Sequence, residues 1–147
     1  MKRIVVSGHG TFASGIRGSL EMLAGKQDSI QWIDFEETMS QEQLRDQFSK
    51  AIDEAFEQGN EMLFFTDIPG GTPYKVAAEF AAQSEKVALV GGCNTGSLLE
   101  SIFVKEKLSL DKLADQLVTS TQNSVSRFGA TADIFDAFTP DEDDDGI

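Results

Sequence analysis

Four short apolar runs, each followed by a segment with apolar residues at helical spacing, do most to constrain what this chain can fold into. Ile4-Val5-Val6 is β-branched and breaks at Ser7-Gly8-His9-Gly10, which reads as a buried strand meeting a loop. Phe12, Ile16, Leu20 and Leu23 mark one face of a helix closed by Gly25. Residues 30–35 form a second strand. Ser40 followed by Gln43 is a capping box, and it opens a helix carrying Leu44, Phe48, Ile52, Ala55 and Phe56 with Gly59 beyond its end. Residues 62–66 are nearly all apolar, as a strand covered on both faces requires. Pro69-Gly70-Gly71-Thr72-Pro73 leads into a helix with Val76, Ala77, Phe80 and Ala81 on one side; Pro73 suits the first helical position and Thr72 the cap before it. Residues 87–90 are a fourth strand, followed by Gly91-Gly92 and a helix through Leu98, Leu99, Ile102 and Phe103. Ser109 caps one more helix through Leu110, Leu113 and Leu117, and residues 124–128 read as a last short strand.

Alternation of this kind predicts an α/β fold, doubly wound, with a mostly parallel four-stranded sheet and helices on both faces. No repeat or internal boundary interrupts it. Residues 1–128 are expected as one domain, with 129–147 an extension whose Asp-Glu-Asp-Asp-Asp block at 141–145 is a solvated, disordered tail. Ligands and chemistry gather at the carboxyl ends of strands in such sheets. The loops there are Gly8-His9-Gly10, Glu36-Glu37, 67–72 and 91–95.

Composition removes several functions. A net charge of −13 argues against nucleic acid, whose backbone needs clustered Lys and Arg. One cysteine, Cys93, makes no internal disulfide and fits a reducing compartment. Without a basic group beside it in sequence, it reads as a small buried hydrophobe. The N-terminus enters a strand after two charges, with no apolar signal-peptide region, and no run approaches a membrane span. A soluble, cytoplasmic domain is expected. One histidine and one cysteine make no metal site, and no cofactor is expected.

Gly8-His9-Gly10-Thr11-Phe12-Ala13 formally matches the G-x-G-x-x-A dinucleotide fingerprint, with Asp34 at a plausible spacing. A histidine between the glycines and a chain too short for a separate substrate domain weaken that match. No Walker A loop is present. His9 is the only histidine, and a lone histidine often just fills a loop. Its flanking glycines, however, leave the ring exposed over a helix start, where backbone N–H groups favour an anion and keep a ring nitrogen free as nucleophile. Asp67, after the third strand, could accept a proton from the second ring nitrogen of His9 and fix its tautomer. It reads equally well as a turn residue before Pro69. Gly70-Gly71-Thr72-Pro73 is a second anion-ready turn with a hydroxyl, or a plain helix cap. Gly92, Asn94 and Thr95 carry no evident chemistry.

Taken together, Val5-Val6-Ser7-Gly8-His9-Gly10-Thr11-Phe12-Ala13-Ser14-Gly15, Asp67-Ile68-Pro69-Gly70-Gly71-Thr72-Pro73 and Gly91-Gly92-Cys93-Asn94 resemble enzyme IIA of the mannose family of the bacterial sugar phosphotransferase system. The Ile-Pro-Gly-Gly-Thr-Pro wording looks more like its N-acetylgalactosamine and galactosamine branch. The resemblance implies a phosphoryl carrier: His9 takes phosphate from the histidine phosphocarrier protein and gives it to a IIB subunit, which serves the membrane IIC and IID subunits. It also implies that Asp67 orients His9, that Thr72 contacts the phosphate, and that Gly10, Thr11, Gly70 and Gly71 form the phosphate-binding loops. An added antiparallel edge strand and a homodimer, sometimes exchanging that strand, are implied as well. No IIB domain follows Phe138, so a separate IIB protein is expected. A phosphocarrier domain feeding a dihydroxyacetone kinase would use the same His9, whereas a non-catalytic dinucleotide or sugar-phosphate module would use the Gly8 loop and Asp34.

Overall fold

Strands form where the chain offers runs that can be covered from both sides. In the computed structural model, which describes residues 1–129, these are β1 (Lys2–His9), β2 (Ile30–Phe35), β3 (Glu61–Thr66) and β4 (Val87–Gly91). They make one all-parallel sheet in the order β2-β1-β3-β4. Alternation along β1 assigns the two layers. Ile4 and Val6 pack with α1 (Phe12–Ala24), α4 (Thr95–Val104) and α5 (Leu110–Asn123), through Leu20, Leu98 and Leu113 among others. Val5 turns the other way, toward α2 (Gln41–Glu57) and α3 (Thr72–Ala81), where Phe48 stacks at 4.7 Å on Phe64. Both rings are fully buried, and each such burial contributes about 1.5–3 kcal/mol.

The strand order creates the site. From β1 the chain goes out through α1 to β2, then crosses back through α2 to β3 on the far side of β1. The loops after β1 and β3 therefore lead to opposite layers and leave a crevice between them, the usual ligand position in open parallel sheets. His9 ends β1 and Asp67 follows β3. At the opposite, amino end, the Lys105 Nζ just beyond α4 donates to the Lys2 carbonyl (3.3 Å) and to Glu106 Oε1 (2.6 Å).

Several local expectations are met and others are corrected. The Ser40–Gln43 capping box and the Ser109 cap are formed. The α3 cap is not Thr72: Gly71 holds that position, Thr72 is already helical, and no side chain caps the helix. Leu23 and Phe103 lie 42% and 68% exposed, at the last turns of α1 and α4. Residues 124–128 form no strand, and no antiparallel pairing occurs among the described residues. Among the described residues the segment joins no sheet edge, and Val125 and Phe128 are 84% and 70% exposed. The acidic block at 141–145 lies outside the described residues.

Candidate active site

His9 and Asp67 meet in the crevice. Pairing of β1 with β3 continues as the Asp67 N–H donates to the Ser7 carbonyl (3.1 Å), which sets the carboxylate beside the end of β1. Asp67 Oδ2 accepts from the His9 backbone N–H at 2.9 Å and lies 2.7 Å from its ring Nδ1. Asp67 Oδ1 accepts from the Ile68 N–H at 2.9 Å. Asp67 thus bonds to its own loop and to the histidine at once. An ionised carboxylate only accepts, so Nδ1 carries a proton and, in the neutral ring, Nε2 keeps its lone pair. The His9 side chain is 46% exposed and that of Asp67 12%. Burial by itself would push the Asp67 pKa up. The bonds from the His9 backbone, the His9 ring and the Ile68 N–H outweigh it and hold the carboxyl below its usual range.

Three glycines make room for this geometry. A Cβ on Gly8 would fall 2.5 Å from the Phe12 ring. One on Gly71 would fall 2.8 Å from His9 Cε1, and one on Gly91 would fall 2.9 Å from Pro69 Cγ. The β3–α3 loop is therefore wedged between the His9 ring and the end of β4. On the other flank Phe35 meets the His9 ring edge-on, centroids 6.0 Å apart at 70°, while its carbonyl accepts from the Gly10 N–H at 2.8 Å. Nothing in the sequence marked Phe35, because its place beside His9 follows from the β1–β2 register.

The two helix starts beside His9 differ. At α1, Asp34 Oδ1 accepts from the Ser14 N–H at 2.9 Å, so the chain's own carboxylate fills the seat that a dinucleotide pyrophosphate would need. Gly10 spends its N–H on Phe35, and Thr11 gives its carbonyl to the Gly15 N–H (2.8 Å). The fingerprint glycines serve packing and a φ of +61° at Gly10. At α3 the arrangement is open. Gly70 at φ +82° and Gly71 bring the backbone past the ring, and the first-turn N–H groups of Thr72 and Tyr74 meet no acceptor among the described residues. Ser40, Asn94 and Ser109 fill that role for α2, α4 and α5. Gly70, Gly71 and Thr72 border unspent donors at the start of α3, and Gly10 and Thr11 border the Thr11, Phe12 and Ala13 N–H groups, which also meet no acceptor among the described residues. Asn94, passed over in the sequence, caps α4. Cys93 is buried against this end of the sheet, and burial with the nearby Asp67 charge pushes its thiol up, leaving it unreactive.

Among the described residues no group of three or more His, Cys, Asp and Glu side chains could hold a metal, and no helix is long and apolar enough to cross a membrane.

Residues 3–118 match the family model described as PTS system fructose IIA component. The chain is 32% identical over 124 residues to the PTS system fructose-specific EIIA component of Bacillus subtilis (strain 168), covering 84% of each. It is 28% identical over 115 residues to the PTS system mannose-specific EIIAB component of Escherichia coli (strain K12), covering 78% of this chain and 34% of that protein. Among solved structures, phosphotransferase system component EIIA from Streptococcus agalactiae superposes with a TM-score of 0.81 at 28% identity, covering 89% of this chain and all of the other.

Proposed function

Because the chain belongs to the EIIA-man family of sugar phosphotransferase system components, we propose that Nε2 of His9 accepts a phosphoryl group from the histidine phosphocarrier protein and passes it to a separate IIB subunit. The observation that carries this reading is the pairing of His9 Nδ1 with Asp67 at 2.7 Å beside the uncapped start of α3. Nδ1 is occupied and Nε2 is available. In the transfer, the Nε2 lone pair attacks phosphorus in line, the bond from phosphorus to the donor's histidine breaks, and that nitrogen leaves with the electron pair. The proton on Nδ1 stays with His9, where Asp67 stabilises the growing positive charge on the ring. The Thr72 hydroxyl and the free N–H groups of α3 meet the phosphoryl oxygens, helped by the positive end of the helix dipole. Transfer to IIB is the same exchange in reverse. The catalytic unit is the described domain, and the acidic extension takes no part in the chemistry.

Incubating the protein with phosphorylated phosphocarrier tests this directly. Mass analysis should find one acid-labile phosphoryl group on His9, and adding a IIB subunit should discharge it. A chain that stays unlabelled would refute the reading.

Gly71→Ala is the sharpest test of the crowding around the ring. The backbone at Gly71 (φ −71°) admits alanine, so any effect must come from the Cβ lying 2.8 Å from His9 Cε1. A ring moved by a few tenths of an ångström should slow single-turnover transfer by about 10- to 100-fold, with the melting temperature nearly unchanged. Transfer at the wild-type rate would show that the ring tolerates the shift.

We also read the protein as a homodimer. A groove of about 760 Å³ runs along the outer edge of β4 between α3 and α5, lined by Ala78, Ala82, Val87, Leu89 and Leu110. The exposed Val125 of a second copy is suited to such an edge, which is unpaired among the described residues. Removing residues 140–147 should leave both phosphorylation and sedimentation of a dimer intact. Truncation before Asn123 should give a monomer. Full-length protein sedimenting as a monomer would refute the dimer, and a dimer surviving the longer cut would move its interface to the helices.

A further inference from the structure

Two hydroxyl groups are sealed into the sheet beneath the His9–Asp67 pair. Ser7 stands two residues before His9 on β1, and Thr66 ends β3 one residue before Asp67. The two are partners in the parallel register, and both are fully buried. Ser7 Oγ and Thr66 Oγ1 form no hydrogen bond with each other or with any other described residue. They share a face of the sheet. Val5 and Phe64, two residues earlier on each strand, pack in the layer of α2 and α3, and so does Ile33, the partner of Ser7 on β2. The same row ends on β4 at Gly91, the partner of Thr66. Neither flank carries a polar side chain that could reach the two hydroxyls.

Such a pair is costly unless something meets it. A buried hydroxyl without a partner destabilises a fold, and alanine and valine would fill nearly the same space without that penalty. The backbone carbonyls of both residues are already engaged. That of Ser7 accepts from the Asp67 N–H at 3.1 Å, and that of Thr66 from the Gly92 and Cys93 N–H groups at 3.0 and 2.8 Å. Adjacent parallel strands lie about 4.8 Å apart. Two oxygens bonded to one water at about 2.8 Å each stand roughly 4.5 Å from one another. The two spacings agree. An ion does not suit the place, because two neutral hydroxyls do not offset its desolvation.

We propose that Ser7 and Thr66 hold one internal water molecule, which bridges β1 to β3 at the foot of the site. The bridge ties together the two strand ends that carry His9 and Asp67, and it reinforces the bond from the Asp67 N–H to the Ser7 carbonyl. The water is independent of the chemistry at Nε2.

A high-resolution crystal structure of the protein should show ordered density within about 3.2 Å of both Ser7 Oγ and Thr66 Oγ1. Two hydroxyls with no density between them would overturn the proposal. Thr66→Val keeps the shape of the side chain, so urea unfolding reads the sign of the hydroxyl's contribution. With the water in place, the variant leaves Ser7 without its bridge and should raise the unfolding equilibrium constant by about fivefold or more. If the hydroxyl has no partner at all, the variant should be as stable as wild type or more so, which would overturn the proposal. Adding Ser7→Ala to Thr66→Val should cost much less than Ser7→Ala alone, since the bridge is already lost. Additive losses would show two unconnected hydroxyls and overturn the bridge. Thr66→Ser keeps the oxygen and should keep the density. Deuterium exchange reads the tie between the strands. After correction for intrinsic rates, the Asp67 amide should exchange about threefold faster or more in Thr66→Val, relative to the Phe64 amide. An unchanged ratio would mean that the strand ends are held without the water, and the tie would be overturned.

Discussion

His9→Ala is expected to give a folded protein that takes up no phosphoryl group at all. His9 is the only histidine in the chain, so no second imidazole can substitute. Its side chain is nearly half exposed at the last position of β1 and contributes nothing to either buried cluster. The backbone N–H at this position still has Asp67 Oδ2 as acceptor, so β1 keeps its end. The loss on folding should be limited to one hydrogen bond, about 0.5–1.5 kcal/mol, or somewhat more because the acceptor is charged. Unfolding in urea would measure that small change. Mass analysis and acid-labile label, after incubation with phosphorylated phosphocarrier, would measure the complete loss of acceptance. Label on this variant would place the nucleophile elsewhere and remove the basis of the proposed function.

Asp67→Asn is expected to be nearly as damaging to transfer and also to cost stability. The carboxylate faces three N–H groups, two on Oδ2 and one on Oδ1. An amide has only one oxygen. Whichever way it turns, its NH2 opposes the N–H of Ile68 or that of His9, and an unsatisfied donor there costs about 1–3 kcal/mol. If the NH2 faces the ring, it favours the tautomer with the proton on Nε2, where the nucleophilic lone pair should be. Single-turnover transfer should fall by about 100- to 10,000-fold, the range for lost positioning and wrong tautomer. Wild-type transfer in this variant would reduce Asp67 to a loop former. The substitution should also change the acid limb of stability. Since the folded pKa of Asp67 is depressed, its stabilisation is present above the usual carboxylate range and disappears as pH falls through the lower folded value. Asp67→Asn should therefore flatten that part of the pH–stability curve, measured by urea unfolding at a series of acid pH values.

Much of this architecture was legible because apolar runs and helix periods report which residues share a face. The four strands, the five helices and the meeting of His9 with Asp67 follow from reading loops at strand ends. Periodicity does not say how far along a face the neighbouring layer reaches, which is why Leu23 and Phe103 were expected inside and stand exposed. Residues 124–128 were read as a strand from Val125 and Phe128, but strand pairing depends on a partner edge that composition does not reveal. Asp34 shows a different limit. Its spacing from Gly8 fits a ribose ligand, yet it caps α1, and only the register of Gly8 with Asp34 distinguishes the two roles. Likewise Thr72 and Pro73 spell a helix cap in sequence, while the fold moves the cap back to Gly71 and leaves N–H groups unspent.

The distance along the chain between His9 and Asp67 has a kinetic consequence. The two residues are 58 positions apart and become neighbours only when β3 docks against β1, after α1, β2 and α2 have been made. During synthesis from the N-terminus, the histidine leaves the ribosome early and without its carboxylate. Such non-local pairing is the slow part of folding a parallel sheet. A nascent or misfolded chain therefore displays an imidazole with neither its tautomer set nor the α3 donors beside it. On the proposed function, competence to receive phosphate requires the β1–β3 pair to have closed.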